Sequence, residues 1–199
     1  RETDAQRARL ATAAELLQGT SDPTHTNFLA HVLDTDTDRY DSNGTIDADD
    51  AVRRAIELHQ ITRESHDDVT STSLDGALPT VRGDARCLHQ ALINLLTNAA
   101  DAVAESRGER RIHVTTRREG ACVLIEISDT GHGIPPADLS RVFKPMFTTR
   151  FQNGRMEAML TMMRQLSEAN GGNIQVRSSL GEGTTFTVTL PIEADASAP

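Results

Sequence analysis

The chain has 199 residues, 37% hydrophobic and 25% charged, which are the proportions of a soluble globular protein and not of a disordered one. Its longest apolar run, Ala121–Ile125, is far shorter than the about 20 residues that span a bilayer, and no signal-peptide pattern opens it. With 20 Lys and Arg against 29 Asp and Glu, the net charge is −9, so the cation excess that nucleic acid demands is missing.

The chain opens on Arg1 and not on Met, as expected of a piece of a longer protein. Residues 1–33 read as helical: Leu10, Ala13, Ala14 and Leu17 keep a 3.6 spacing, Gly19 to Pro23 break it, and Phe28, Leu29, Val32 and Leu33 resume it. Residues 34–50 hold seven Asp and the turn-prone Ser42-Asn43-Gly44, the pattern of a solvated linker. The main boundary is placed there. This gives a helical segment and acidic linker over 1–45, a domain over 46–191 and a tail over 192–199.

Within the domain a helix is expected over Ala48–Thr62, with Ala51, Ala55, Ile56 and Leu58 as its apolar positions. Strands at His66–Ser73 and around Pro79–Gly83 follow, and then a long helix capped by Asp84 and ending near Ser106. Arg111–Arg117 and Ala121–Ser128 form a hairpin around Arg118-Glu-Gly120. A glycine-rich loop, a Met-rich helix at Met156–Asn170 stopped by Gly171-Gly172, and strands Ile174–Ser178 and Thr184–Leu190 complete the order. Strands and helices mix without regular alternation, so the class is α+β, one sheet with helices on one face. Cys87 and Cys122 have no CxxC spacing, which leaves them as buried free thiols in a reducing cytoplasm.

Four stretches carry chemistry. On the long helix Leu88, Leu92, Leu95, Ala99 and Ala102 make an apolar face, while Asn94, Asn98 and Asp101 make a separate polar one. That stripe is either a wetted surface or a holder for a hydrated divalent ion and its ligand. Asn and Asp are poor helix formers, which speaks against solubility alone. Next, Ser128-Asp-Thr-Gly-His-Gly-Ile134 follows the alternating strand Val123, Ile125, Ile127. Asp129 at the strand's end suits an amino group, and Gly131 and Gly133 allow close backbone approach to a flat ligand, although plain turns use the same residues. Phe143–Arg150 combines apolar, hydroxyl and cationic groups, and Gly181-Glu-Gly-Thr-Thr-Phe186 opens the last strand.

Together these stretches resemble the boxes of sensor histidine kinases. Asp84 with Gln90–Ala102 is similar to the N box, Asp129–Pro135 to the first glycine box, Phe143–Arg150 to the F box, and Gly181–Phe186 to the last glycine-threonine box. The resemblance covers 46–191, is nearest to nitrogen-regulation-type kinases, and implies the Bergerat α/β sandwich of the GHKL ATPases: a mixed sheet covered by about three helices. It implies Mg-ATP as cofactor, with Asn98 on Mg²⁺, Asn94 orienting water or phosphate, Asp101 lining the pocket and Asp129 accepting from the adenine amine. Gly131 and Gly133 would pass the base and ribose, Arg150 would face phosphate, and Thr184 would close the adenine end. A gyrase- or MutL-type ATPase fits less well, since no transducer domain follows Leu190-Pro191.

Two departures bear on activity. Where relatives carry a GxGLGL lid, this chain has Arg155-Met156-Glu157-Ala158-Met159-Leu160, which predicts an earlier helix start near Gly154 and weak or absent nucleotide binding. Glu157 would repel a phosphate charge at about 4 Å by roughly 1 kcal/mol in water and roughly 4 kcal/mol at an effective dielectric of 20. The alternative is that another segment supplies the phosphate contacts. The second departure is the phosphoacceptor. His25 and His31 both lack the acid that follows the histidine in this family, and Pro23 interrupts their helix. Around the Met cluster at 156, 159, 162 and 163, Met159, Leu160, Met163 and Leu166 read as core; alternatively, part of the cluster is an adaptable docking surface. The resemblance thus leads to two functions: a two-component kinase module, or a scaffold that binds a partner kinase or response regulator. In either, residues 1–33 would dimerise, and the fragment would be cytoplasmic without membrane contact.

Overall fold

A computed structural model describes residues 44–62, 69–106, 108–139 and 171–192. The expected N-terminal helices, F box, Met-rich helix and all of the tail beyond Ile192 lie outside these residues. In chain order the elements are β1 (Thr45–Ile46), α1 (Ala48–Thr62), β2 (Val69–Ser73), β3 (Val81–Arg82), α2 (Ala85–Ala104), β4 (Arg111–Glu119), β5 (Cys122–Asp129), α3 (Pro136–Leu139), β6 (Asn173–Ser179) and β7 (Gly183–Pro191). Five strands form one mixed sheet in the order β2-β4-β5-β7-β6. β2 runs parallel to β4, and the other neighbours are antiparallel. The class is α+β, as the mixture of elements requires.

The sheet's two faces follow from the period of two along each strand. Ile112 and Val114 on β4, Val123, Ile125 and Ile127 on β5, and Phe186, Val188 and Leu190 on β7 are buried together with the helices. The opposite face is polar. There Glu126 Oε1 accepts from Arg117 at 3.4 Å, Arg177 at 3.3 Å and Thr187 at 3.3 Å, and Ser71 meets His113 at 2.8 Å.

α2 begins where Asp84 stops being extended. Its carboxylate accepts from the amides of Arg86 at 2.9 Å and Cys87 at 3.2 Å, a side-chain N-cap. The buried arc of α2 is wider than one stripe: beside Leu88, Leu92, Leu95 and Ala99 it includes Ala91, Ile93, Leu96, Ala100 and Val103. The helix packs on α1 and on the sheet at once, so two faces need apolar residues. Full burial of each Leu stabilises by about 1.5–3 kcal/mol. Ala102 departs from the expected apolar face, since it is only half-buried and abuts the glycine loop instead.

Three expectations are corrected. The acidic stretch 34–50 is not solvated to its end. β1 pairs with β3 (Ile46 opposite Val81), and Asp49 is only 4% exposed in the first turn of α1. There its carboxylate accepts from Thr116 Oγ1 and from the Gly76 amide, fastening α1 to β4 and to the loop after β2. The strand expected around Pro79–Gly83 is Val81–Arg82. It lies in that two-stranded ribbon, bridged to Ile192, and not in the main sheet. Cys87 and Cys122 are free but only half-buried; burial, then the nearby Asp84, pushes the Cys87 thiol up.

Candidate functional site

β5 ends at Asp129, and β7 starts beside it with Asp129 opposite Thr184. Both face the helix side, at 7% and 6% exposure. The Asp129 carboxylate accepts from the Gly131 amide at 2.8 Å and from the Thr184 backbone N–H. Burial pushes its carboxyl above the ordinary carboxylate range, while those two N–H groups and the His132 imidazole pull the other way.

The loop 130–134 is held at both ends. Thr130 accepts from the Arg111 amide at 3.0 Å and donates its own amide to the Arg111 carbonyl at 3.1 Å. His132 carbonyl accepts from the Gly181 amide at 2.7 Å, and the Ile134 amide donates to Ser178 Oγ at 2.7 Å. The imidazole of His132 lies 2.7 Å from the Gly133 carbonyl and 3.7 Å from the Glu105 carboxylate at the end of α2.

The glycines answer first to the protein itself. A Cβ on Gly131 would come within 2.6 Å of Ala102 Cβ. Gly133 has φ +69, and a Cβ there would lie 2.0 Å from the Ser179 carbonyl oxygen. Their lack of a side chain lets the loop lie on α2 and on the β6–β7 turn, which brings Asp129, Thr184, Gly131 and Gly133 together.

The polar stripe of α2 leads toward the same place. Asn94 and Asn98 are half-buried and Asp101 is exposed; Gln90 donates to Asn94 Oδ1 at 3.3 Å. Ala102, four residues beyond Asn98, is the point where the helix meets Gly131, so the loop packs at the C-terminal end of the stripe. The donor set of two amides and the exposed Asp101 carboxylate would suit a hydrated Mg²⁺ better than a bare ion. Among the described residues, no group of three His, Cys, Asp or Glu side chains could hold a metal alone. Arg150, the 155–160 segment with Arg155, Met156, Glu157 and Met159, and His25 and His31 lie outside the described residues.

One site residue escapes sequence reasoning. Ser178 joins the loop to the β6–β7 hairpin, yet in a strand it reads as an ordinary serine. The available signal is its phase: after Ile174 and Val176 it is the next residue on the core-facing side of β6, where a hydroxyl needs partners.

This arrangement has relatives. The profile of the histidine kinase-, DNA gyrase B-, and HSP90-like ATPase family matches residues 83–194. The sensor histidine kinase ZraS of Escherichia coli (strain K12) is 31% identical over 147 residues, 74% of this chain and 30% of that protein. The circadian input-output histidine kinase CikA of Synechococcus elongatus is 35% identical over 122 residues, 59% of this chain and 16% of that protein. The chain therefore spans under a third of these two relatives. Among solved structures, the catalytic domain of the histidine kinase ThkA superposes with a TM-score of 0.63 at 23% identity, covering 74% of this chain and 93% of that one. The mycobacterial sensor histidine kinase MprB gives 0.60 at 24% identity, covering 74% and 95%. No described helix is both long and apolar enough to cross a membrane. The chain belongs to the histidine kinase-, DNA gyrase B- and HSP90-like ATPase family, and the matched region is an ATP-binding domain of the sensor histidine kinase type.

Proposed function

We propose that this domain is the Mg-ATP-binding module of a two-component sensor kinase and supplies the phosphoryl group that is transferred to a histidine. The observation that carries the reading is Asp129. Its carboxylate is 7% exposed and held by two backbone N–H groups. Burying such a group is costly unless it is well hydrogen-bonded, and a ligand amine is the donor that suits its remaining capacity. In this reading Asp129 and Thr184 would receive the adenine, Asn98 would hold Mg²⁺, and Asn94 would orient water or phosphate beside it. Asp101 would line the pocket, Gly131 and Gly133 would let the base and ribose pass, and Arg150 would face the phosphates. Catalysis is by positioning and charge neutralisation. The domain comprises 46–191; residues 1–33 would supply dimerisation, and the partner would be a response regulator or a partner kinase in the cytoplasm.

The sequence Arg155-Met-Glu-Ala-Met-Leu160 favours a second reading, a scaffold that keeps the fold, has lost nucleotide binding and acts through a partner kinase or regulator. Calorimetric titration with Mg-ATP, beside Asp129→Ala, separates the two. Micromolar binding that is lost in the variant supports the kinase module. No binding up to millimolar ATP overturns it in favour of the scaffold.

A further inference from the structure

Beside the glycine loop, one side chain is engaged on every side. Ser178 Oγ accepts from the Ile134 amide at 2.7 Å, donates to the Gly183 carbonyl at 2.8 Å and lies 2.9 Å from Thr184 Oγ1. A serine hydroxyl has one proton and two lone pairs. The Gly183 carbonyl only accepts, so it takes the proton. The Ile134 amide only donates, so it takes one lone pair. What remains for Thr184 is the second lone pair, and Thr184 is therefore the donor. Its single hydroxyl proton is spent on Ser178. Toward any other group Thr184 Oγ1 offers lone pairs alone. Asp129, its partner across β5 and β7, is the other polar side chain at this end, and an ionised carboxylate also only accepts.

We infer that Ser178 is a positioning residue for ligand selection. By holding the Thr184 proton it makes the Asp129–Thr184 end of the site acceptor-only, fitted to a purine with an exocyclic amine and closed to one with a carbonyl oxygen at that place. The inference rests on the nucleotide reading above and deepens it. Both side chains are under a tenth exposed, so water does little to relieve a wrong pairing. A carbonyl oxygen set in the place of the amine would meet lone pairs alone and find no proton, the costly case for a buried group. Ser178 acts through Thr184 and has no required contact with the ligand.

Two measurements test this. Neutron diffraction from the deuterated, nucleotide-free protein places the hydroxyl deuterons. The expected result is the Thr184 deuteron on Ser178 and the Ser178 deuteron on Gly183. A Ser178 deuteron aimed at Thr184 overturns the inference whether or not nucleotide binds. The full chain is then titrated with the magnesium complexes of ATP and of inosine triphosphate, which carries oxygen where adenine carries its amine. Wild type should prefer ATP. In Ser178→Ala the Thr184 hydroxyl is free to turn and donate, so the preference should shrink about tenfold, the scale of one hydrogen bond. Ser178→Thr keeps the hydroxyl and should restore it. If Ser178→Ala weakens both nucleotides by one factor with the ratio unchanged, the role is merely structural and the inference fails. A wild-type protein that binds neither nucleotide refutes the nucleotide reading instead, and the deuteron positions then decide the hydrogen-bond order on their own.

Discussion

Gly133→Ala asks whether the glycine loop is shaped for a ligand or by the protein around it. Gly133 has φ +69, a conformation that costs a residue with a Cβ about 1–2 kcal/mol. The added carbon would also lie 2.0 Å from the Ser179 carbonyl oxygen, far inside contact distance, and that neighbour is backbone. Relief requires the β6–β7 turn to move off the loop. The motion would break the bonds from Gly181 to His132 and from Ile134 to Ser178, both 2.7 Å long. At about 1 kcal/mol each, the loss totals about 3–4 kcal/mol with the backbone term. For a chain of this length that lowers Tm by about 6–16 °C. Gly120→Ala is the control, since Gly120 has φ +60 but open space where a Cβ would go. It should lose only the backbone term. The assay is thermal and urea unfolding without nucleotide. Equal losses in the two variants, or no loss at Gly133, would refute the packing argument and return this glycine to the ligand.

Three further outcomes are expected. Because burial raises the Asp129 carboxyl above its unfolded value, the folded chain holds that proton more tightly than the unfolded one. This contribution is fully present below the unfolded pKa and is lost as pH rises through the folded one. Asp129→Asn should therefore flatten the stability decline through the upper carboxylate range in pH-dependent urea melts, while abolishing ATP binding; an unchanged pH profile contradicts the burial argument. Asp84→Ala removes the side-chain cap of α2 and should cost about 1 kcal/mol in urea unfolding, with Asp84→Asn or Asp84→Ser nearly neutral. Asp49→Ala leaves the buried Thr116 hydroxyl and the Gly76 amide without their acceptor and should cost about 1–3 kcal/mol or more; a loss like that of an exposed Asp would refute its role as a fastener.

Much of the fold is legible because long elements carry a period. Leu88, Leu92, Leu95 and Ala99 mark α2, and Asp84 ahead of them marks its start. The alternation Val123, Ile125, Ile127 marks β5 and shows that Asp129 falls at its end, in the inward phase. A strand near β3 is legible, but β1 and its pairing with β3 are not, because strands of two residues show no alternation. Nor is the burial of Asp49: an aspartate in an acidic run looks solvated until Thr116 and Gly76 arrive from elsewhere in the chain. For the site, the residue types of Asp129, Gly131, Gly133 and Thr184 can be read in order. The reasons differ once packing is seen. Gly131 yields to Ala102, Gly133 yields to Ser179, and Ser178 gains its importance only from three partners brought in by tertiary structure.

The pairing of β5 with β7 also has a consequence in time. β4 and β5 are joined by a tight turn at Gly120, and such hairpins close within about 1–10 μs. Ser128 and Thr185 lie 57 residues apart, so the second edge of β5 waits for a much longer loop to close. Until then Asp129 stands at an open strand edge, flanked by Val123, Ile125 and Ile127, with neither Thr184 nor Ser178 beside it. Among the described elements the site therefore assembles late. During synthesis it cannot exist before β7 leaves the ribosome, and a chain cut short before Gly183 would present an apolar, unpaired β5 to its neighbours.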